Sequence, residues 1–369
     1  MSRVLAVGPA LPRHVYPQRE ITRVIGPLLT ADRGRQDRLE RLHAASGVTT
    51  RHLALPLEEY AALTSFGRAN DQFIAVGTDL AEQACHRALD ATGLDPQDVD
   101  FLLFTSVTGI SAPSIDSLLV GRLGMRTDVK RLPSFGLGCV AGAAGLARVH
   151  DYLEGHPREV ALLVSVELCS LTIQHGDDSM ANLVSSGLFG DGAAAVVVVG
   201  DEHPAAASPT AAQPAVVDTR SRLYPDTADH LGWTVGDGGF GIVLSAGLPD
   251  IIGAHLAGDL KGLLADHDLE VADVGTWVVH AGGPRVLSAV RDALGLTDAD
   301  LAVSRASLAA VGNLSSASVL HVLADTLRGR TGSTGPLPPG GEHGVLMAFG
   351  PGVSAELVLL HLPTTEEGS

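Results

Sequence analysis

Three residues that lie far apart in the sequence could together form a nucleophilic acyl-transfer site: Cys139, His280 and Asn313. Cys139 stands in "GLGCVAG" at the start of a predicted helix, where free backbone N–H groups and the helix dipole favour a thiolate. A thiolate of this kind is a strong nucleophile. A small buried core cysteine is the ordinary alternative, but helix packing alone does not require the preceding glycines, Gly136 and Gly138.

His280 and Asn313 supply the polar groups that this chemistry needs. His280 follows the apolar run "TWVV" and precedes "AGGP", so it would point from the end of a buried strand into a cleft. There it could hold the thiolate as an ion pair and then help to stabilise an oxyanion. Asn313, in "VGNLSSASV", could donate a hydrogen bond to the oxyanion without opposing its charge. Each has a structural alternative, since the chain has 15 histidines and asparagine is a common helix N-cap.

The elements that must bring these residues together come from an internal duplication. Apolar strand-like runs alternate with Ala/Leu-rich helical patterns throughout the chain, which predicts an α/β fold. The segment "DVDFLLFTSVTG" (98–109) has the same pattern as "DVGTWVVHAGGP" (273–284), 175 residues later. The same offset places Cys139 beside Asn313, so both residues would begin related helices.

We predict two related halves, residues 1–205 and 206–369. Each is expected to close with a glycine hairpin and an apolar strand, "LFGDGAAAVVVVG" (188–200) and "AFGPGVSAELVLL" (348–360), and a Pro/Ala-rich linker joins the halves at 201–218. If the halves pack about a pseudo-twofold axis, equivalent elements meet at the centre. The cysteine, the histidine and the asparagine would then converge on one pocket.

Composition limits the classes of partner. The chain has 369 residues, 45% of them hydrophobic, and a formal net charge of −17. This charge argues against nucleic acid as a partner, and an anionic ligand would need a local basic patch. The three cysteines do not make a disulfide framework. The N-terminal segment does not read as a secretion signal and the longest apolar run, "AAAVVVV", is too short to span a membrane, so we expect a cytoplasmic protein.

Five segments spread along the whole chain resemble those of type III polyketide synthases, the chalcone-synthase-like enzymes. They are "GLGCVAG", "LFGDGAAA", "VHAGGP", "GNLSSASV" and "AFGPG", in the order and spacing of the family, with Ala281 where the family has a proline. The resemblance implies a thiolase fold, a sandwich of five layers in the order αβαβα, and a homodimer. It also implies CoA thioesters as substrates, malonyl-CoA among them, and neither a metal nor a redox cofactor.

The resemblance further implies roles for individual residues. Cys139, His280 and Asn313 would be the catalytic triad: Cys139 takes a starter acyl group from acyl-CoA, and the other two hold the thioester carbonyl of malonyl-CoA while CO₂ leaves. The resulting enolate would attack the acyl-cysteine and lengthen the chain by two carbons, and several rounds and a cyclisation would follow. Arg51 is the expected contact for a CoA phosphate. The residues expected to line the substrate pocket are Phe189, Ile242, Cys169, Thr172, Ser315 and Ala112, the last of them reaching into the partner's cavity.

The expected product is an alkylpyrone or an alkylresorcinol-type compound, and tetrahydroxynaphthalene is the alternative. Several segments look bacterial and are most similar to enzymes that make alkylpyrones and alkylresorcinols from fatty acyl starters. Ile242 replaces the family's second gatekeeper phenylalanine, and this aliphatic residue could open the pocket to a longer chain. Tetrahydroxynaphthalene synthases, which use only malonyl-CoA, share much of the same pattern.

Other classes of protein fit the residues less well. A ketoacyl synthase III of fatty-acid synthesis shares the fold and the triad, but its histidine is normally followed by Gln-Ala-Asn rather than Ala-Gly-Gly. An inactive thiolase-fold scaffold would not need an intact triad. The sequence "GDGGFG" (236–241) matches a dinucleotide-binding fingerprint only by letter, because a strand-like segment follows it, and the glycines suit a hairpin instead.

Overall fold

The computed structural model describes residues 1–207, 213–331 and 342–363. Its strands are β1 (Ser2–Ala10), β2 (His14–Pro17), β3 (Thr50–Leu53), β4 (Phe101–Thr105), β5 (Lys130–Ser134), β6 (Val160–Leu168), β7 (Asp191–Gly200), β8 (Ala215–Leu223), β9 (Leu231–Gly236), β10 (Gly239–Leu244), β11 (Val274–Val279), β12 (Glu342–Gly350) and β13 (Ser354–Leu362). Its α-helices are α1 (Gln18–Leu29), α2 (Arg33–Ala44), α3 (Phe66–Asp90), α4 (Ile115–Leu123), α5 (Ala141–Gly155), α6 (Met180–Leu188), α7 (Leu248–Ala265), α8 (Pro284–Leu294), α9 (Ala302–Val311) and α10 (Ser316–Thr331).

The main sheet carries the duplication that the sequence predicts. Within the described residues, nine strands are hydrogen-bonded in the order β11-β12-β13-β8-β1-β7-β6-β4-β5. In the first half, β1 is antiparallel to β7, β7 is antiparallel to β6, and β6 is parallel to β4. In the second half, β8, β13, β12 and β11 repeat these relations in the same order. The two halves join where Ser2 and Arg3 of β1 pair with β8.

Helices α5 and α10 lie between the two halves of this sheet. Each contacts strands of both halves, α5 against β6 and β12 and α10 against β1 and β11. Their first turns can approach because Gly142 has no side chain: a Cβ atom there would overlap the carbonyl oxygen of Ser316. On the outside, α3 packs on β1, β6 and β7, and α7 packs on β8 and β13. The layers therefore follow the predicted order αβαβα of a thiolase fold.

The central strands are buried on both faces. Along β7, Ala194, Val196 and Val198 belong to the core around α5 and α10, whereas Ala195 and Val197 belong to the core beneath α3. Alternate side chains of a strand point to opposite faces, so a strand covered on both sides is apolar at every position. This explains the continuous run "AAAVVVV" in the sequence.

The ends of the two halves differ from the expectation. A tight hairpin closes only the second half, where residues 351–353 join β12 to β13. In the first half, a 3₁₀ turn (Cys169–Thr172) and α6 separate β6 from β7, so the predicted glycine hairpin is wrong there. The expected linker at 201–218 is too long, because β8 already begins at Ala215. Residues 208–212 of that linker lie outside the described part of the chain.

A separate antiparallel pair, β9 with β10, forms the hairpin that the glycines of "GDGGFG" predict. It places Trp233 opposite Ile242 and brings both to the site described below. None of the helices in the described residues is long and apolar enough to cross a membrane.

Candidate active site

Cys139 lies in a short 3₁₀ turn, Gly138–Val140, that leads directly into α5. Two glycines before it have left-handed backbone angles, with φ of 100° at Gly136 and 56° at Gly138. A Cβ atom on Gly138 would also lie only 2.5 Å from Cδ of Pro351, in the turn between β12 and β13. The glycines therefore allow a turn that packs closely against the other half of the molecule. This agrees with the expectation that they serve more than helix packing.

The thiol of Cys139 is half-buried and faces the start of α10. Its Sγ donates a long hydrogen bond, 3.5 Å, to Oγ of Ser315. Burial raises the pKa of the Cys139 thiol to about 12, and the Ser315 hydrogen bond only partly opposes this. Glu167 nearby also raises that pKa. The raised pKa favours a neutral thiol at Cys139, whereas the helix start alone led us to expect a thiolate.

Glu167 is a buried carboxylate that the sequence reasoning missed. It is the last but one residue of the mostly apolar strand β6 and is 0% exposed. Its oxygens accept hydrogen bonds from Ser315 Oγ (3.3 Å), Ser316 Oγ (2.5 Å), Thr108 Oγ1 (2.8 Å) and the backbone N–H of Val107 (3.1 Å). A single glutamate in the apolar segment "VALLVSVEL" is the signal that could have found it, since a buried charge needs such partners.

His280 follows β11 and is held by its backbone N–H, which donates to the carbonyl oxygen of Met347 on β12 (2.9 Å). The side chain is 2% exposed, and Nδ1 has no hydrogen-bond partner among the described residues. Burial lowers the pKa of His280 to about 4. This shift favours a neutral imidazole, whereas the sequence suggested a thiolate–imidazolium pair, which stays a prediction.

The amide of Asn313 has a fixed orientation. Its Oδ1 accepts a hydrogen bond from the backbone N–H of Ser315 (2.8 Å), and its Nδ2 donates to the carbonyl oxygen of Gly282 (3.2 Å). Gly282 also borders His280, because a Cβ atom on Gly282 would lie 3.3 Å from Nε2 of that histidine. The N–H groups of Asn313 and the Nε2 edge of His280 thus meet at the "AGGP" turn.

These contacts bring the three predicted residues to one place. Cys139 contacts Ser315, which lies two residues after Asn313, and Asn313 contacts Gly282, which lies two residues after His280. The contacts therefore link a sulfur, an imidazole and a neutral amide through neighbouring residues, and these are the groups needed for acyl transfer through an oxyanion.

Four of the expected pocket residues line one narrow cavity: Phe189, Ile242, Cys169 and Thr172. Its volume is about 10 Å³, which is room for about one water molecule. Polar and apolar residues line it in nearly equal numbers: Arg51, Ser170, Thr172, Asn182, Ser185 and Ser186 on the polar side, and Cys169, Ile173, Phe189, Trp233 and Ile242 on the apolar side.

The other two expected pocket residues lie elsewhere. Ser315 contacts Cys139 and Glu167, as described above, and does not border this cavity. Ala112 is exposed and lines a surface pocket beside Phe135. It does not reach the cavity of its own chain, so its expected role in a partner's cavity stays a prediction.

Arg51 requires a correction. The side chain is 1% exposed, so it offers no surface to a CoA phosphate. Its Nε donates to Oε1 of Gln18 (3.0 Å) and its Nη1 donates to the carbonyl oxygen of Phe189 (2.7 Å). The segment "TTRHL" did not show which of its side chains is buried. In β3, Arg51 points into the protein and His52 points outward.

Exposed arginines on α1 and α2 provide the local basic patch that a negatively charged chain needs for an anionic ligand. Arg19, Arg23, Arg38 and Arg41 form no ion pair with any residue that the structure describes, and the first two border a surface cleft of about 570 Å³. The chain that follows α2 runs close to the site, since a Cβ atom on Gly47 would lie 3.5 Å from Pro284.

Two protein-family models match the chain. The model described as the N-terminal domain of chalcone and stilbene synthases matches residues 1–202, and the model of their C-terminal domain matches residues 215–363.

Individual proteins are similar over nearly the whole length. A 1,3,6,8-tetrahydroxynaphthalene synthase of Streptomyces peucetius subsp. caesius is 54% identical over 97% of this chain and 92% of that protein. A second enzyme of that name, from Streptomyces griseus, is 32% identical over 95% of this chain and 90% of its own.

Among solved structures, the 1,3,6,8-tetrahydroxynaphthalene synthase of Streptomyces coelicolor A3(2) superposes with a TM-score of 0.89 at 31% identity, over 98% of this chain and 99% of that one. A polyketide synthase of the brown alga Ectocarpus siliculosus superposes with a TM-score of 0.91 at 27% identity, over 98% of each chain.

Proposed function

The chain belongs to the chalcone and stilbene synthase family and is a type III polyketide synthase, and within this class we propose that it builds its product from malonyl-CoA alone. The product would be 1,3,6,8-tetrahydroxynaphthalene or a closely related polyhydroxylated aromatic. We prefer this alternative to the alkylpyrone and alkylresorcinol products that the sequence also suggests. The high identity to an enzyme named for this product supports the choice.

The polar groups within the cavity lining are the observation that carries this proposal. Either kind of chain must widen a cavity of about 10 Å³, so size does not separate the two alternatives. A long alkyl starter would cover hydroxyl, amide and guanidinium groups without giving them hydrogen-bond partners, which is unfavourable. A chain grown from malonyl units carries an oxygen on every second carbon. Those oxygens can accept hydrogen bonds from the same groups.

We assign the loading step to Cys139 and His280. The sulfur attacks the thioester carbonyl of malonyl-CoA, the new carbon–sulfur bond forms, and CoA leaves as its thiol. Since the Cys139 thiol is neutral, its proton must move as the bond forms. His280 is the neutral base beside it, and the proton passes through the imidazole to the departing CoA sulfur.

We assign decarboxylation and condensation to His280 and Asn313. When the next malonyl-CoA loses CO₂, the electrons of the broken carbon–carbon bond form an enolate on the thioester oxygen. Nδ2 of Asn313 donates to that oxygen, and so does His280 in the tautomer that carries its proton on Nε2, whereas loading uses the tautomer with the proton on Nδ1. The neutrality of both groups leaves the charge of the oxygen unopposed. The enolate carbon then attacks the acyl-cysteine carbonyl, and the Cys139 sulfur is released for the next round.

The proposed product fixes the number of units. Tetrahydroxynaphthalene has ten ring carbons, and each malonyl unit supplies two after losing CO₂, so five units are consumed. Ring closure and release then balance with five molecules of CO₂, five of CoA and one of water. No oxidant or reductant enters this balance.

We place the CoA phosphates on the exposed arginines of α1 and α2. We place the contact between the two subunits of a homodimer at β5. Within the part of the chain that the structure describes, β5 is the last strand of the sheet and pairs only with β4. Leu132 in this strand and Phe135 just after it are 47% and 53% exposed, respectively. Ala112 borders the same surface pocket as Phe135, which fits a residue that contacts the partner subunit.

The decisive experiment supplies the purified protein with malonyl-CoA, either alone or together with acyl-CoAs of increasing length, and identifies the products by mass spectrometry. We expect a ten-carbon aromatic product from malonyl-CoA alone, and the Cys139→Ala variant should lose at least about a thousandfold in rate. Cys85→Ala, in the buried face of α3, is the matched control and should keep its activity. If the enzyme makes more product from a long acyl-CoA starter than from malonyl-CoA alone, the malonyl-only proposal is rejected and the alkylpyrone alternative is restored.

A further inference from the structure

We propose that Arg51 is a specificity-determining residue: its free Nη2 group binds an oxygen of the acyl chain on Cys139 and so selects malonyl-primed over alkyl-primed chains. This inference rests on the malonyl-only function proposed above. It assigns to Arg51 a role inside the cavity in place of the CoA contact that the sequence suggested.

The contacts of Arg51 leave one donor edge of the guanidinium unused. Nε and Nη1 are hydrogen-bonded to Gln18 and to the carbonyl oxygen of Phe189. Nη2 is fully buried and has no hydrogen-bond partner among the described residues. The same side chain lines the cavity together with Cys169, Thr172 and Ile242. Two N–H donors of a buried cation therefore lack a partner in a residue that lines the cavity, and a molecule that widens the cavity could supply one.

The nearest buried carboxylate does not satisfy Arg51. Asp191 is 0% exposed, and its oxygens accept hydrogen bonds from the backbone N–H of Ala54 (2.6 Å), the backbone N–H of Ser170 (2.8 Å) and the hydroxyl of Ser170 (2.5 Å). It forms no ion pair with Arg51 within the described residues. A guanidinium buried without a direct counter-ion is costly unless a ligand completes its hydrogen bonds.

Arg51 keeps its charge in this environment. Burial lowers the pKa of its guanidinium to about 10, and Asp191 acts in the opposite direction, so the group remains protonated at neutral pH. A charged two-donor edge binds a carboxylate, an enolate or a polarised carbonyl oxygen well. A malonyl-primed chain has such oxygens along its length, whereas the alkyl part of a fatty acyl starter has none.

A purely structural role predicts something different. The stem of Arg51 packs close to Gly312, where a Cβ atom would lie 3.2 Å from Cδ of Arg51, and Nη1 holds the carbonyl oxygen of Phe189. Phe189 in turn forms a β-bridge with Asn313. If Arg51 only supported Asn313, its loss would slow every condensation in equal proportion, whichever starter is used.

The test therefore measures a ratio. The ratio is kcat/KM for product made from malonyl-CoA alone, divided by kcat/KM for product primed by hexanoyl-CoA. It is measured for the wild type and for Arg51→Met, Arg51→Lys and Gln18→Met. Arg51→Met keeps the stem and removes all donors, so the ratio should fall about 10- to 100-fold. Gln18→Met removes the partner of Nε but leaves Nη2, so both reactions should fall together and the ratio should stay within about twofold.

Arg51→Lys carries the test if the methionine variant does not fold. Lysine keeps the charge but loses the planar two-donor edge, so the ratio should fall by a smaller factor, about 3- to 10-fold. An unchanged ratio in a folded Arg51 variant would overturn the assignment. Failure of the malonyl-only function would be recognised separately, because the wild-type enzyme itself would then make no product from malonyl-CoA alone.

Discussion

At the scale of single residues, burial governs the chemistry of the site more than local charge does. It raises the pKa of Cys139 to about 12 and lowers that of His280 to about 4. Both shifts favour the uncharged partners, so the free enzyme keeps a thiol beside a neutral imidazole. Acylation then requires that the proton moves while the thioester is attacked.

This state predicts a particular pH dependence of alkylation. With a pKa near 12, the thiolate fraction of Cys139 rises about tenfold for each pH unit, so its reaction with iodoacetamide should accelerate steadily from pH 7 to pH 10. The rate is measured by mass spectrometry of the intact protein, with Cys139→Ala as the control for labelling at Cys85 and Cys169. A rate that is already constant below pH 8 would instead show a preformed thiolate–imidazolium pair.

The sequence singled out Cys139, His280 and Asn313 because each stands next to a local signal, a glycine turn or the end of an apolar run, and their catalytic roles stay predictions. It did not predict Glu167 as a partner of Ser315 and Ser316, since that contact joins residues that are about 150 positions apart. Arg51 was misplaced for a similar reason. Its burial depends on Gln18 and Phe189, and no spacing in the chain relates these residues to it.

At the scale of elements, the Gly138–Val140 turn that carries Cys139 (the nucleophile turn) must pack against the β12–β13 turn of the other half. Gly138→Ala should lower the free energy of unfolding by about 1–3 kcal/mol, because alanine is strained at a φ of 56° and its Cβ would overlap Pro351. It should also reduce product formation, since Cys139 is the next residue. Urea unfolding gives the stability change.

Gly121→Ala is the matched control for that substitution. Gly121 lies inside α4 and has nothing within 4 Å of an added Cβ atom. Alanine there should stabilise the protein by about 0.5–1 kcal/mol. Equal effects of the two substitutions would show that the nucleophile turn does not depend on Gly138.

His43 connects α2 to its neighbours and makes their packing sensitive to acid. Its Nδ1 is hydrogen-bonded to Thr22 on α1 (2.8 Å) and its Nε2 to Ser186 on α6 (3.1 Å). Burial, with a smaller contribution from the Arg51 charge, lowers the pKa of His43 from 6.5 to about 3. Between these values only the unfolded chain binds the proton, so stability falls as the pH falls.

His43→Gln removes this dependence. Relative to the variant, the wild type should lose about 1.4 kcal/mol of stability for each pH unit below 6.5, down to about pH 4.5. Above pH 6.5 the difference between the two proteins should be constant. Urea unfolding across this range is the measurement, and parallel curves for the two proteins would show that His43 is charged in the folded state.

The duplicated elements could be predicted from the sequence, because each half carries the same local hydrophobic pattern, in β4 and β11 and in α5 and α10. The shape of the cavity could not be predicted in this way. Its size depends on how β10, α6 and the turn at Cys169–Thr172 meet, and Ile242 faces these segments across a long stretch of chain. An aliphatic residue at this position suggested a wider pocket, whereas the assembled side chains leave a narrow one.

At the scale of the whole molecule, the exposed edge of the sheet should determine the oligomeric state. Leu132→Glu places a charge on β5, and we expect it to convert a dimer into a monomer, as measured by size-exclusion chromatography with light scattering. Leu223→Glu is the control, since Leu223 is 72% exposed at the far end of β8. A Leu132→Glu protein that stays dimeric would place the interface elsewhere.

The central position of β1 has a consequence for how the protein is made. This strand leaves the ribosome long before its partners are complete, because β7 ends at Gly200 and β8 begins at Ala215. At ordinary rates of translation these partners follow about 10 to 40 s later. During that interval only segments made before β7, such as α3, can cover the nascent strand, so chaperone supply and the translation speed between β1 and β8 should set the yield of active enzyme.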